Sequence, residues 1–176
     1  VDIGDGMGRP LSITGATWRV TVPLAQSVEE SRSFTLSALD LAMTTTTTMF
    51  SVRIDTRGPA LALTTPGSGT VVGASATLSG TASDGSGTVS AMTVDVGTGP
   101  QAVVVQPNGT WSATVSFPPN LDRVARMVTL RAQDALNNVT QATVQVLVDT
   151  QGPALTFTAP ASMERPSSAL AKRSSR

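Results

Sequence analysis

The chain contains no cysteine and no histidine. The first absence excludes disulfides, a thiol nucleophile and a thiolate metal site. The second removes the usual general base and the commonest zinc ligand. Tyrosine is missing too, and an aromatic share of 3% rests on 4 Phe and 2 Trp, so Val, Ala, Leu and Thr must build the core. Charge is scarce at 14% and balanced, 12 basic residues against 12 acidic. That balance leaves no electrostatic footprint for nucleic acid. No apolar run approaches the roughly 18–20 residues of a membrane-spanning helix. No signal peptide is visible, and the start at Val1 reads as a processed or excised boundary, which would hide an export signal.

A hydrophobic share of 40% argues for a packed core rather than disorder. Many β-branched residues, with 15 Gly and 11 Pro, suit short strands joined by frequent turns. The chain also repeats itself. Asp55-Thr56-Arg57-Gly58-Pro59-Ala60-Leu61 returns as Asp149-Thr150-Gln151-Gly152-Pro153-Ala154-Leu155, 94 residues later. At the same spacing, Phe34-Thr35-Leu36 matches Val128-Thr129-Leu130. Thr17-Trp18 matches Thr110-Trp111 at a spacing of 93, so one residue has been gained between Trp111 and Val128. Loops absorb such insertions, whereas strands in register do not.

The period divides the chain into 1–58, the second half of a repeat; 59–150, a complete repeat; 151–160, the first strand of a further copy; and 161–176, a polar and basic tail expected to be disordered. Within the complete repeat, period-two rows predict strands over 60–64, 75–82, 89–96, 101–106, 110–117, 126–134 and 139–148. Trp111, Ala113, Val115 and Phe117 form one inward row; Val128, Leu130 and Ala132 form another. Asp84-Gly85-Ser86-Gly87, Pro107-Asn108-Gly109 and Asn137-Asn138 supply turns between them. The expected class is all-β, an immunoglobulin-like antiparallel β-sandwich in tandem repeats.

Several of these segments resemble a known family. Asp-Thr-x-Gly-Pro before a short strand, Gly80-Thr81-Ala82-Ser83-Asp84, Gly109-Thr110-Trp111-Ser112-Ala113 and Leu130-Arg131-Ala132-Gln133-Asp134-Ala135 are similar to the bacterial immunoglobulin-like (Big-type) tandem repeats of large surface and adhesin proteins. The resemblance covers residues 15–160. In the first half-repeat Leu41-Ala42-Met43-Thr44 departs from it, standing where Ala135-Leu136-Asn137-Asn138 stands in the second copy, which puts the hairpin turn there in question. The resemblance implies a bacterial extracellular or cell-surface location and neighbouring repeats, of this chain or another copy, as partners. It also implies that carboxylates at the joint between sandwiches can bind calcium. Asp40, Asp55, Asp84, Asp134 and Asp149 all fall at turns or junctions, and Asp84, Asp134 and Asp149 are the expected calcium ligands, helped by Asn137 or Asn138. The bland reading is that these aspartates cap turns.

Catalysis has no candidates. Serines are plentiful, but no His stands ready to activate one, no Ser-x-x-Lys occurs, and Glu29-Glu30 has no partner carboxylate in view. The chain is therefore expected not to be an enzyme. Trp18 and Trp111 occupy equivalent positions and could stack on sugar, but the parity of Trp111 places it in the core. Thr44–Thr48 could carry O-linked sugar, and Asn108-Gly109-Thr110 and Asn138-Val139-Thr140 fit the glycosylation sequon; both sequons fall at turns. The leading expectation is a stalk module extending a terminal domain from the cell. A self-assembling filament subunit using strand complementation, and a carbohydrate-binding accessory module with a glycan ligand, are the alternatives.

Overall fold

The computed structural model describes residues 1–158 other than Ile3, Asp5, Ser86 and Phe157. The expected tail, 161–176, lies outside them. Every regular element among the described residues is a strand. Among these residues no helix is long and apolar enough to cross a membrane.

Residues 60–148 build a sandwich from β5 (Ala60–Thr65), β6 (Val71–Val72), β7 (Ser75–Ser83), β8 (Val89–Asp95), β9 (Gln101–Ala102), β10 (Thr110–Ser116), β11 (Val124–Asp134) and β12 (Val139–Val148). One sheet has the order β10-β7-β5 and the other β6-β12-β11-β8-β9. All pairs are antiparallel except β6 with β12, which is parallel. The inward rows meet in one core: Leu78 and Ala82 of β7 and Trp111, Ala113 and Val115 of β10 face Met92, Val94, Val128, Leu130, Ala132, Val146 and Val148. In β10 burial alternates strictly, residue by residue, as a sheet with one wet face requires. The segment expected as a strand over 101–106 is shorter. Gln101 and Ala102 pair with β8, then Val105 bridges to Trp111, so the chain crosses there from one sheet to the other. The two-residue β6 carries too little pattern to be read from sequence.

Ahead of the sandwich lie two hairpins, β1 (Ser12–Thr14) with β2 (Thr17–Arg19), and β3 (Glu29–Leu39) with β4 (Thr45–Asp55). The β3–β4 hairpin matches β11–β12 of the sandwich in register, Phe34 lying opposite Phe50 as Val128 lies opposite Val144. The β3–β4 turn is closed by Asp40 N–H to the Thr44 carbonyl (3.0 Å) and Thr44 N–H to Asp40 Oδ1 (2.8 Å). The β11–β12 turn is closed by Asp134 N–H to Asn138 O (3.1 Å) and Asn138 N–H to Asp134 Oδ1 (2.8 Å). Met43, at φ 62°, takes the left-handed position that Asn137 holds at 69°. The departure at 41–44 therefore leaves the turn unchanged, because the aspartate rather than the tip residues makes it.

The match extends to the first residues. Asp2 pairs with Thr35 as Asp95 pairs with Thr129. Asp2 Oδ1 accepts the Gly4 and Gly6 N–H groups, as Asp95 Oδ1 accepts those of Gly97 and Gly99. Counterparts of β5, β6 and β7 and of most of β8 are absent from the described residues of this N-terminal unit. Its apolar side is correspondingly open: Trp18 is 45% exposed where Trp111 is 2%, and Val52 41% where Val146 is 0%.

Candidate metal centre

The N-terminal unit meets the sandwich through the segment Asp55–Pro59. Asp55 ends β4, Thr56 donates its hydroxyl to the Ala25 carbonyl (2.7 Å), and Pro59 is buried. Gly58 lies against the start of β12: a Cβ there would stand 2.6 Å from the Val139 carbonyl carbon and 2.7 Å from Thr140 Oγ1. A Cβ on Gly85 would meet the Glu29 carboxylate of the preceding unit at 2.6 Å, a side-chain end that can move aside. Arg53 Nη2 spans the same contact, donating to Glu29 Oε1 (3.1 Å) and to the Gly85 carbonyl (3.0 Å). Gly58 has no positive φ, so it serves close approach rather than a turn.

Beside this contact the carboxylates of Asp55, Asp84 and Asp134 converge, with one oxygen of each lying within 4.8 Å of the others. Each comes from a different place in the fold. Asp55 ends the preceding hairpin, Asp84 follows β7, and Asp134 ends β11. Asp134 is only 2% exposed. Its Oδ1 accepts N–H bonds from Leu136 and Asn138, and its Oδ2 accepts the Asn138 side-chain amide, all at 2.8 Å. The same Asn138 amide reaches the Asp55 carbonyl at 3.3 Å, tying the two units together. Asp55 Oδ1 also accepts the Arg57 N–H at 3.0 Å.

Two of the three expected ligands, Asp84 and Asp134, are thus brought together; Asp149 is not among them. It follows β12, whose ten residues run antiparallel to β11, so Asp149 stands at the opposite end of the sandwich from Asp134. There its backbone N–H bonds Val72 O at 2.9 Å and its carboxylate lies 3.9 Å from Arg123. The third acid is Asp55, which occupies the same place in the preceding Asp-Thr-x-Gly-Pro segment. Asn138 is the assisting residue; Asn137 Oδ1 instead accepts from the Gln133 amide. Asp40, the counterpart of Asp134, is exposed and caps its own turn.

The donor set suits a hard cation. Oxygens bound to one calcium at about 2.3–2.6 Å can lie at most about 5 Å apart, and carboxylates are its preferred ligands. Three carboxylates at this separation otherwise repel by roughly 3 kcal/mol per pair at an effective dielectric of about 20. Asp134 has already given three acceptor sites to N–H donors. About one of a carboxylate's four lone-pair directions then remains. Further oxygens would have to come from the other two acids, from backbone carbonyls or from water.

No protein-family model matches the chain, and no curated protein does. Among solved structures it is similar to an endo-beta-1,4-mannanase from Thermotoga petrophila, at 13% identity and a TM-score of 0.46, over 55% of this chain and 21% of that one. It is also similar to a Ca2+-stabilized adhesin that helps an Antarctic bacterium reach out and bind ice, at 23% identity and TM-score 0.37, over 70% and 33%. A 1.5-MDa bacterial ice-binding adhesin matches at 21% identity and TM-score 0.34, over 69% and 42%. The chain thus spans less than half the length of each of these proteins.

Proposed function

We propose that this chain is a structural spacer of a bacterial extracellular surface or adhesin protein, not an enzyme, and that calcium stiffens its joint. The observation carrying this reading is the convergence of Asp55, from the linker, on Asp84 and Asp134 of the sandwich that follows. A cation held by acids from both sides of a joint binds the docked arrangement and not the open one, so it stabilises the first by mass action. The close packing of Gly58 on the backbone of Val139 supports the same reading, since it leaves the linker little room to act as a hinge. The lack of His and Cys supports the non-catalytic part.

The test is a calcium titration followed by melting temperature, with reversal by chelator. The melting point should rise in the native chain and in Asp149→Asn, and stay flat in Asp55→Asn and Asp84→Asn. A rise that survives both of the latter substitutions would remove the proposed site.

The carbohydrate-binding alternative has one favourable observation, the 45% exposure of Trp18. The counterpart of that residue, Trp111, is a core side chain covered by β7, and among the described residues no such strand lies beside Trp18.

A further inference from the structure

The threonines in the two copies of Asp-Thr-x-Gly-Pro share three hydrogen bonds. Thr56 N–H donates to the Val28 carbonyl (2.8 Å); its hydroxyl accepts the Val28 N–H (3.0 Å) and donates to the Ala25 carbonyl (2.7 Å). Thr150 N–H donates to the Leu121 carbonyl (2.7 Å); its hydroxyl accepts the Leu121 N–H (2.9 Å) and donates to the Pro118 carbonyl (3.0 Å). The residue before each clasped amide is left-handed, Ser27 at φ 58° and Asn120 at 61°. Yet the two loops differ at every position, Ala25-Gln26-Ser27-Val28 against Pro118-Pro119-Asn120-Leu121. Unlike loops that take one geometry owe it to the partner they have in common, the linker threonine.

A hydroxyl suits this place because it donates and accepts at once. The β3–β4 ladder ends with Glu29 opposite Asp55. At the next position the Thr56 carbonyl turns to the Ser27 N–H (3.3 Å), and the hydroxyl takes the Val28 N–H in its place. The ladder is thereby carried one residue past the strand end, into the linker. Asp55 lies inside this fixed stretch. Its carbonyl accepts the Asn138 side-chain amide, and its carboxylate meets those of Asp84 and Asp134.

We propose that Thr56 is the positioning residue of the joint. It clasps the linker to the N-terminal unit, so that a rigid body, not a loose tether, presents Asp55 to Asn138, Asp84 and Asp134. The cation half of this statement rests on the calcium reading above. Thr150 holds Asp149 in the same clasp at the opposite end of the sandwich, and so serves as an internal control.

The experiment follows the Asn138 side-chain amide of the full chain by NMR, first with chelator and then through a calcium titration. Without cation, Thr56→Val should move that resonance toward the position of a solvated amide, because the Asp55 carbonyl leaves it. Thr56→Ser, which keeps the hydroxyl, and Thr150→Val should leave it in place. With calcium, Thr56→Val should bind about tenfold more weakly, as when about one molecule in ten holds Asp55 in place. Thr56→Ser and Thr150→Val should bind as the native chain does. A threonine that only stabilised its own loop would lower the melting temperature in both valine variants and alter neither the resonance nor the affinity. An unmoved Asn138 amide in Thr56→Val, a native calcium affinity that this variant keeps, or an equal response in Thr150→Val overturns the proposal. If the native chain binds no calcium and the resonance still moves as expected, the cation reading fails and the clasp stands.

Discussion

Asp134 carries two demands on one buried carboxylate. It closes the β11–β12 turn by accepting three N–H donors, and it presents its remaining capacity to Asp55 and Asp84. Removing the acceptor takes three hydrogen bonds from a part-buried turn, so Asp134→Ala should cost about 1 kcal/mol or more in chemical denaturation, cation or no cation. A negligible loss would mean that the turn-closing role of Asp134 is wrong. Core positions behave conventionally: Leu130, 0% exposed, should lose about 2–5 kcal/mol on change to Ala. Gly80 is the less obvious hot spot. Gly80→Ala forces β5 away from β7 and should destabilise by about 1–3 kcal/mol or more, read from the denaturation midpoint.

At the scale of elements, the alternation of small apolar and hydroxyl side chains made the strands of the sandwich readable, because each covers a single core and keeps its other face wet. The joint was harder to read. Asp84 and Asp134 announce themselves as turn acids, but Asp55 and Asp149 are indistinguishable by local pattern. Only the direction of β12, which carries Asp149 about ten strand residues from Asp134, tells which linker closes on which sandwich. The two linker glycines offer a matched comparison. Gly58 is packed against Val139 and Thr140, whereas Gly152 has nothing within 4 Å among the described residues. Gly58→Ala should therefore loosen the joint, raising protease sensitivity at Asp55–Pro59 and the independent tumbling of the N-terminal unit by NMR relaxation. Gly152→Ala should change neither.

For the whole molecule, a spacer must be long and stiff. A chain of several such repeats should scatter X-rays at small angles as an extended rod, and a compact particle would end the spacer reading. Calcium at a hundred times its dissociation constant adds about 2.7 kcal/mol to the docked form. For a sandwich of this size that corresponds to a melting shift of roughly 10 °C or more.

If the chain serves as a stalk it is also a tether, and the parallel pairing of β6 with β12 would decide how it meets a pull. Tension would enter through the linker into β5 and leave through the end of β12. Next to that exit, Leu147 N–H bonds Thr70 O and Asp149 N–H bonds Val72 O, beside Gly69 N–H to Gln145 O. Because these two segments run the same way, force drags them past each other along their length and loads the bonds together instead of one after another. The weakest-looking strand in the sandwich, two valines long, thus sits where it acts as a shear clamp.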